Sequence, residues 1–256
     1  MTLTHYGCST FCCMDLPLDQ ALDLVLNKTN RIEIMSEGYH DLFRFREACH
    51  SVDARYSVHA PISDINLASV NDRIRRTSLE VIDDLCGICD DINAETLVVH
   101  PGYFPWSHMQ TEAREALVKS LASLSAIQSE HDTRIAVENM GSWECFVFRN
   151  PEFLSELEHC DIGFVLDVGH AQLNNQLMEF ANKSRPCHIH LHDNTGTNDD
   201  HAACGDGTID FTALLPLLPV PASRIIECRD FSGYEKSLAY LSSVEDLVCR
   251  KKVPLL

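Results

Sequence analysis

Eight short apolar runs, each about the length of a strand, alternate along this chain with eight segments of helical period. The runs are Leu3–Tyr6, Arg31–Met35, Arg55–His59, Thr96–His100, Arg134–Glu138, Gly163–Asp167, Cys187–His192 and Arg224–Cys228. The helical segments are Leu18–Leu26, Tyr39–His50, Val70–Ile92, Thr111–Ser129, Pro151–His159, Ala171–Asn182, Phe211–Leu218 and Tyr234–Arg250. A strand that is followed by a helix returns to the same end of the sheet, so the pairing is parallel, and eight repeats close on themselves. The predicted fold is α/β, a (β/α)8 TIM barrel, with one domain spanning residues 1–256. An open doubly wound sheet is the alternative, but no GxGxxG turn follows the first run. In Val70–Ile92 the period turns Ile74, Leu79, Ile82 and Leu85 inward and Arg73, Arg75, Arg76 and Glu80 toward water. Asn150 before Pro151 reads as a helix cap.

Composition narrows the class of partner. Twenty basic against 38 acidic residues give a net charge of −18, a surface that repels polyanions at long range. The opening MTLTHYGCST lacks a basic region followed by an apolar stretch, so no signal peptide is expected. No apolar run is long enough for a bilayer, FTALLPLLPV being broken by Pro216, and a cytoplasmic protein without membrane partners is expected. The twelve cysteines read as reduced, mostly buried thiols, including the Cys86–Cys89 CxxC on a helix and the group Cys8, Cys12 and Cys13.

Nine residues of metal-ligand type sit at or just past the ends of the third to eighth runs: His59, His100, Glu138, Asp167, His170, His190, Asp199, His201 and Glu227. In a parallel barrel these positions share one rim, where active sites are built. Five imidazoles and four carboxylates on one face, with little Arg or Lys nearby, need positive charge to hold them, and divalent ions supply it most simply. Any one of these residues alone is more often a satisfied structural group. HIHLHD places three histidines at alternate positions, and His188 reads as a supporting or interior residue. Asp167 and His170, separated by Val-Gly, suit a strand end turning into a loop, and Asp199 and His201 form a DxH pair in TGTNDDHAACGDG. Imidazole and carboxylate without thiolate suit Zn or Mn, with Fe next and Mg least.

At these residues the chain resembles the xylose isomerase-like TIM barrels and, among them, endonuclease IV. The matching pieces are VHAPISDINLAS, VVHPG, AVEN, LDVGHA, HLHDN, DDHAACGDG and IIE, from about Val58 to Glu227. The resemblance implies up to three zinc ions. His59 and His100 would hold one and share Glu138 with a second, completed by Asp167, His190 and Glu227; His170, Asp199 and His201 would hold the third. It also implies phosphoester hydrolysis, as endonuclease IV performs on abasic DNA, with Glu138 and Glu227 as the catalytic carboxylates. The isomerase branch implies an alternative: sugar or sugar-phosphate isomerisation or epimerisation on one metal held by Glu138, Asp167, His190 and Glu227, with Glu138 and Glu227 moving a proton.

The remaining ligands are in excess for one metal and favour the hydrolase. DNA itself is a weaker expectation than a small phosphorylated or sugar substrate. The loop after the second run is only MSEGYH, Ala60, Pro61 and Ile62 follow His59 without an aromatic wedge, and no basic cluster flanks the mouth. Tyr103, Phe104 and Trp106 are candidates to stack on a base or a sugar, or to form an apolar lid. A metal store on an old barrel is the non-enzymatic alternative.

Overall fold

The computed structural model describes residues 5–252. Among them, eight parallel strands pair in sequence order and the last closes on the first, so the fold is a TIM barrel. The strands are β1 (Tyr6–Ser9), β2 (Arg31–Met35), β3 (Arg55–His59), β4 (Thr96–Val99), β5 (Arg134–Glu138), β6 (Gly163–Asp167), β7 (His188–Leu191) and β8 (Ser223–Ile226). Around them lie α1 (Leu18–Leu26), α2 (Leu42–Phe45), α3 (Asp72–Asp91), α4 (Gln110–Gln128), α5 (Leu154–His159), α6 (Val168–Leu173), α7 (Leu177–Lys183), α8 (Phe211–Leu214) and α9 (Phe231–Lys252).

The main apolar core lies between strands and helices and includes Leu22, Ile34, Leu67, Ile82, Leu121, Phe180 and Leu241. The aromatic end of it is built from Phe148, Phe153, Phe164 and Phe180, whose ring centroids lie 5.5 to 5.9 Å apart in tilted, stacked and edge contacts. Val98, Ala136 and Val165 form a second, separate cluster. Neighbours in register with this cluster and across β2–β3 are polar and buried: His188 pairs with Val165, and Glu33 pairs with Ser57. A barrel interior that carries buried carboxylate and imidazole must satisfy them internally, and that requirement shapes the site described below.

The strand pattern held at seven positions and shifted at one. β1 begins at Tyr6, the last residue of the predicted first strand, because Tyr6, Gly7 and Cys8 pair with β8. Leu3 and Thr4 of that predicted strand lie outside the described residues. Gly7 is required there, since a Cβ would sit 2.5 Å from Ile225 and 2.7 Å from the Arg31 carbonyl. The predicted helix Tyr39–His50 is instead two 3₁₀ segments around the single turn α2. The predicted Ala171–Asn182 breaks into α6 and α7 at Asn175, which adopts a left-handed φ of +56°. Ile74 does not face the core: it lies half exposed, lining a surface groove with Val70 and Tyr103, while Leu79, Ile82 and Leu85 are buried. Cys86 and Cys89 are buried, and burial pushes the Cys86 thiol up to about 12, which leaves no thiolate for redox chemistry near neutral pH. No helix among the described residues is long and apolar enough to cross a membrane.

Phe180 is fully buried against Phe148 and Phe164, so Phe180→Ala should cost about 3–5 kcal/mol, cavity term included. Urea unfolding checks this; a loss below 1 kcal/mol would mean that the aromatic cluster does not anchor α7.

Candidate metal centre

Strand ends deliver most of the site. His59, Glu138 and Asp167 are the last residues of β3, β5 and β6, His100 and Glu227 directly follow β4 and β8, and His190 lies within β7. His170 sits in the first turn of α6, which Asp167 caps by accepting from the His170 N–H at 2.7 Å. The Asp167–His170 spacing is therefore a capped helix start, where a loop was expected. Asn139, next to Glu138, clamps β5 to β6: its amide donates to the Asp167 carbonyl at 3.0 Å and accepts from the Asp167 N–H at 2.9 Å.

The structure brings all nine residues together around Glu138. One Glu138 oxygen faces His59 Nε2 at 3.2 Å and His100 Nε2 at 3.3 Å. The other faces His170 Nδ1 at 3.2 Å and His190 Nδ1 at 3.3 Å. His190 Nδ1 also lies 3.0 Å from Glu227 and 3.8 Å from Asp167. His170 Nε2 meets Asp199 at 3.0 Å, and His201 Nε2 meets the same oxygen at 3.5 Å.

The hydrogen-bond partners of the rings test whether the group fits metal ions. His59 Nδ1 lies 2.8 Å from the Ala60 carbonyl, His170 Nδ1 3.0 Å from the Asn139 carbonyl, and His201 Nδ1 3.1 Å from the Glu227 carbonyl. A carbonyl only accepts, so Nδ1 carries the proton in each ring and Nε2 is left with its lone pair. This is how metal-binding imidazoles are oriented. In each case the freed Nε2 faces a carboxylate of the cluster, and Asp199 Oδ1 is buried with no hydrogen-bond partner. The donor set therefore fits divalent ions. Compact donor groups are His59, His100 and Glu138; Glu138, Asp167 and His190; and His170, His192, Asp199 and His201.

Two members of this network were not among the sequence candidates. His192 is fully buried, with Nε2 3.0 and 3.1 Å from the two Asp167 oxygens, and its ring stacks on His201 at 4.0 Å. Its signal was the alternation in HIHLHD, which marks position 192 as well as 190. Glu33 in β2 is fully buried, 2.7 Å from His188 Nε2 and 2.8 Å from His190 Nε2, and it accepts from the Ser57 hydroxyl at 2.9 Å. The two ring contacts are close but poorly aligned for hydrogen bonds. A carboxylate inside RIEIM is the signal for Glu33.

Protons take part in balancing the carboxylates. Burial raises Glu138 and Glu227, but the charge of His190 outweighs it; Glu138 is held well below the usual range and Glu227 at about 2. Burial lowers His170, His190 and His201, yet the carboxylates around them win. His170 and His190 rise well above the ordinary value, and His201, beside Asp199, rises to about 9. His100 goes the other way, because burial outweighs its contact with Glu138.

His59, His100, Glu138, His170, Asp199, His201 and Glu227 form the floor of a cavity of about 400 Å³, with Asp167 and His190 buried outside its lining, and its walls are Phe11, Met35, Ile62, Met140, Trp143, Phe146 and Leu173. Among the described residues, no Lys or Arg lines it. Its rim aromatics, Trp143 and Phe146, stack at 5.7 Å and come from WECFVF, a segment the sequence reading passed over. The predicted stacking stretch lies elsewhere: Tyr103, Phe104 and Trp106 do not line this cavity, since Phe104 is buried and the other two border neighbouring grooves.

The sequence profile of the xylose isomerase-like TIM barrel matches residues 27–242. The chain belongs to this family. The uncharacterized protein MJ1614 of Methanocaldococcus jannaschii is 34% identical over 230 residues, which cover 88% of this chain and 91% of that one. The probable endonuclease 4 of Mycobacterium leprae is 26% identical over 198 residues, 72% of this chain and 76% of its own. Among solved structures, a D-tagatose 3-epimerase-like protein superposes with a TM-score of 0.87 at 28% identity, covering 97% of this chain and 99% of the other. Members of the xylose isomerase-like family are enzymes, and both a probable endonuclease and an epimerase-like protein are similar to this barrel.

A pH dependence follows from His201 and Glu227. His201 is raised from 6.5 to about 9, so its stabilisation of the ion-free fold is complete below pH 6.5 and is lost as pH rises through 9. Glu227 is lowered from 4.5 to about 2, so its contribution is complete above pH 4.5 and lost as pH falls through 2. The ion-free protein should have its highest Tm between about pH 4.5 and 6.5, and Zn²⁺ should bind more tightly as pH rises toward 9, with release of protons. Calorimetry in buffers of different ionisation enthalpy measures both; zinc affinity independent of pH between 6.5 and 9 would contradict the assignment.

Proposed function

We propose that this chain hydrolyses a small phosphoester at a centre of three divalent ions, zinc or manganese. His59, His100 and Glu138 would hold the first ion, and Glu138, Asp167, His190 and Glu227 the second. His170, Asp199 and His201 would contribute to the third. One observation carries this reading: the His170–Asp199–His201 group is complete and is joined to Glu138 through His170, and a one-ion isomerase has no use for it. Ions bound there supply Lewis acidity, a water of lowered pKa and positive charge for a departing oxygen.

The chain's own residues prepare the site for that chemistry. Glu138, with a pair of imidazoles on each oxygen, sets the separation of the first two positions. Backbone carbonyls on Nδ1 stop His59, His170 and His201 from swinging. Phe11, Met140, Trp143, Phe146 and Leu173 give the floor apolar walls, beside which charge interactions are stronger than in open water. The cavity size supports a small substrate, and with no Lys or Arg among the described residues lining it, a phosphoryl group would find its positive charge on the ions. Net charge −18 weighs against extended DNA, so abasic-site cleavage is the less supported form of the same activity.

A second reading, sugar epimerisation, has its own observation. Glu138 and Glu227 reach the same His190 nitrogen at 3.3 and 3.0 Å, so two carboxylates flank one position, as proton transfer between neighbouring carbons requires. The likeness to the D-tagatose 3-epimerase-like protein supports it too.

Two variants separate the readings, assayed on bis-p-nitrophenyl phosphate, an abasic oligonucleotide and D-tagatose. Glu227→Gln should lower phosphoester turnover on the order of 100-fold or more with the circular dichroism unchanged. His201→Ala should do the same to a three-ion hydrolase and leave a one-ion epimerase within a few-fold of wild type. Tagatose epimerisation that survives His201→Ala, with no phosphoesterase in the parent, would sink the hydrolase and establish the alternative.

A further inference from the structure

Between β7 and α8, residues 192–210 form neither helix nor strand, yet this long connection delivers Asp199 and His201 to the metal centre. A loop of that length without structure of its own needs something to hold it if it is to present donors at fixed places. Asp193 supplies the hold. It is fully buried, and three backbone N–H groups of the loop donate to its carboxylate. Asn194 and Ile209 reach one oxygen at 2.9 and 3.1 Å, and Gly205 reaches the other at 3.0 Å. Burying a carboxylate is costly, and donors of this kind offset the cost. These come from both ends of the loop and from its far side, so one side chain closes it.

The main chain continues the hold toward the donors. Asp193 and Ala202 exchange N–H and carbonyl bonds in both directions at 3.0 Å, and Ala202 directly follows His201, whose φ of +44° is left-handed and strained. Asn194, also fully buried, donates its amide to the Gly169 carbonyl at 2.9 Å, and Gly169 directly precedes His170. Gly169 is itself packed against His192, where a Cβ would come within 2.0 Å of the ring. Glycine is required in the cradle as well: a Cβ at Gly207 would lie 2.2 Å from Asp193 Oδ1 and 2.2 Å from the Asn194 carbonyl oxygen.

We infer that Asp193 is a positioning residue of the metal centre: it folds the loop so that Asp199 and His201 meet His170, while Asn194 sets the loop against α6. The inference rests on the three-ion reading above and deepens it. Asp193 acts through the loop and not as a ligand, because both its oxygens are engaged by backbone N–H groups and it belongs to none of the compact donor groups. Its influence is therefore confined to the third ion. Asp193→Asn keeps an oxygen for Asn194 and Ile209 but turns an amide NH2 toward the Gly205 N–H, donor against donor; Asp193→Ala removes all three acceptor contacts.

The test is zinc binding by the full-length protein, read by competition with a chromophoric chelator, together with backbone hydrogen exchange of the ion-free form. Wild type should take up three zinc ions. Asp193→Asn should weaken one of them on the order of 10- to 100-fold, the range for a support one step outside the ligands, and Asp193→Ala should weaken the same ion further, with the other two unchanged. In the ion-free protein, amides of residues 194–209 should exchange faster in both variants while those of the barrel strands keep their rates. Cobalt substitution should show the altered spectrum of one ion in three. Asp206→Asn, which removes only the exposed pair that Asp206 makes with Lys236 in the same loop, should bind three zinc ions as wild type does.

If wild type holds three ions and both Asp193 variants retain all three at wild-type affinity, or if loop exchange is unchanged, Asp193 does not position the site and the three-ion reading stands without it. Equal weakening of all three ions would make Asp193 a support of the whole barrel and overturn the inference, and so would an equal loss of the third ion in Asp206→Asn. Fewer than three ions in wild type would overturn the reading itself, and the inference with it.

Discussion

One buried carboxylate organises this molecule. Glu138 presents one oxygen to His59 and His100 and the other to His170 and His190, and is itself almost wholly buried. Such a group is stable only if positive charge reaches both oxygens, and protons and metal ions are the two sources within reach. The closed barrel is the device that brings them. Only the common rim of parallel strands can aim side chains from β3, β7, the residue after β4 and the start of α6 at a single residue on β5. The supports lie one layer further out: Asn139 fixes β5 to β6, carbonyls of Ala60, Asn139 and Glu227 fix three rings, and Glu33 presses on His190 from inside the barrel.

Long-range charge and local charge then point in different directions. The surface is strongly acidic, and the cavity walls are apolar without a cation among the described residues. Any anionic substrate is drawn in by the floor alone. That places the choice between a hydrolase and an epimerase on the number of ions, because Glu138, Asp167, His190 and Glu227 serve either chemistry and the group around Asp199 serves only one. Family membership is compatible with both, since the barrel is similar to a probable endonuclease and to an epimerase-like protein.

Much of this was legible in the sequence, for a physical reason. Strands buried on both faces must be continuous apolar runs, so a polar residue that ends one stands out, and His59, Glu138, Asp167 and Glu227 did. What stayed hidden depends on tertiary geometry. Glu33 looks like an exposed strand residue until the barrel closes over it. His192 shares its alternation with two other histidines, and only the space above Gly169 shows that it enters the site. The break between α6 and α7 turns on one residue, Asn175, in a left-handed conformation that helical periodicity does not reveal. Ile74 fits the period of α3 but has a groove beside it where core was expected. The cavity aromatics were assigned to the wrong loop, because Trp143 and Phe146 are brought over the site by the connection after β5, whose path no local pattern encodes.

The measurement closest to the central claim is a crystal structure of the protein grown with zinc, with anomalous difference maps on either side of the zinc absorption edge. Three zinc peaks are predicted: one beside His59 and His100, one beside His190 and Glu227, and one beside His170 and His201. A single peak, at Glu138, Asp167, His190 and Glu227 with the Asp199 group empty, would contradict the three-ion centre and leave this barrel a one-ion enzyme.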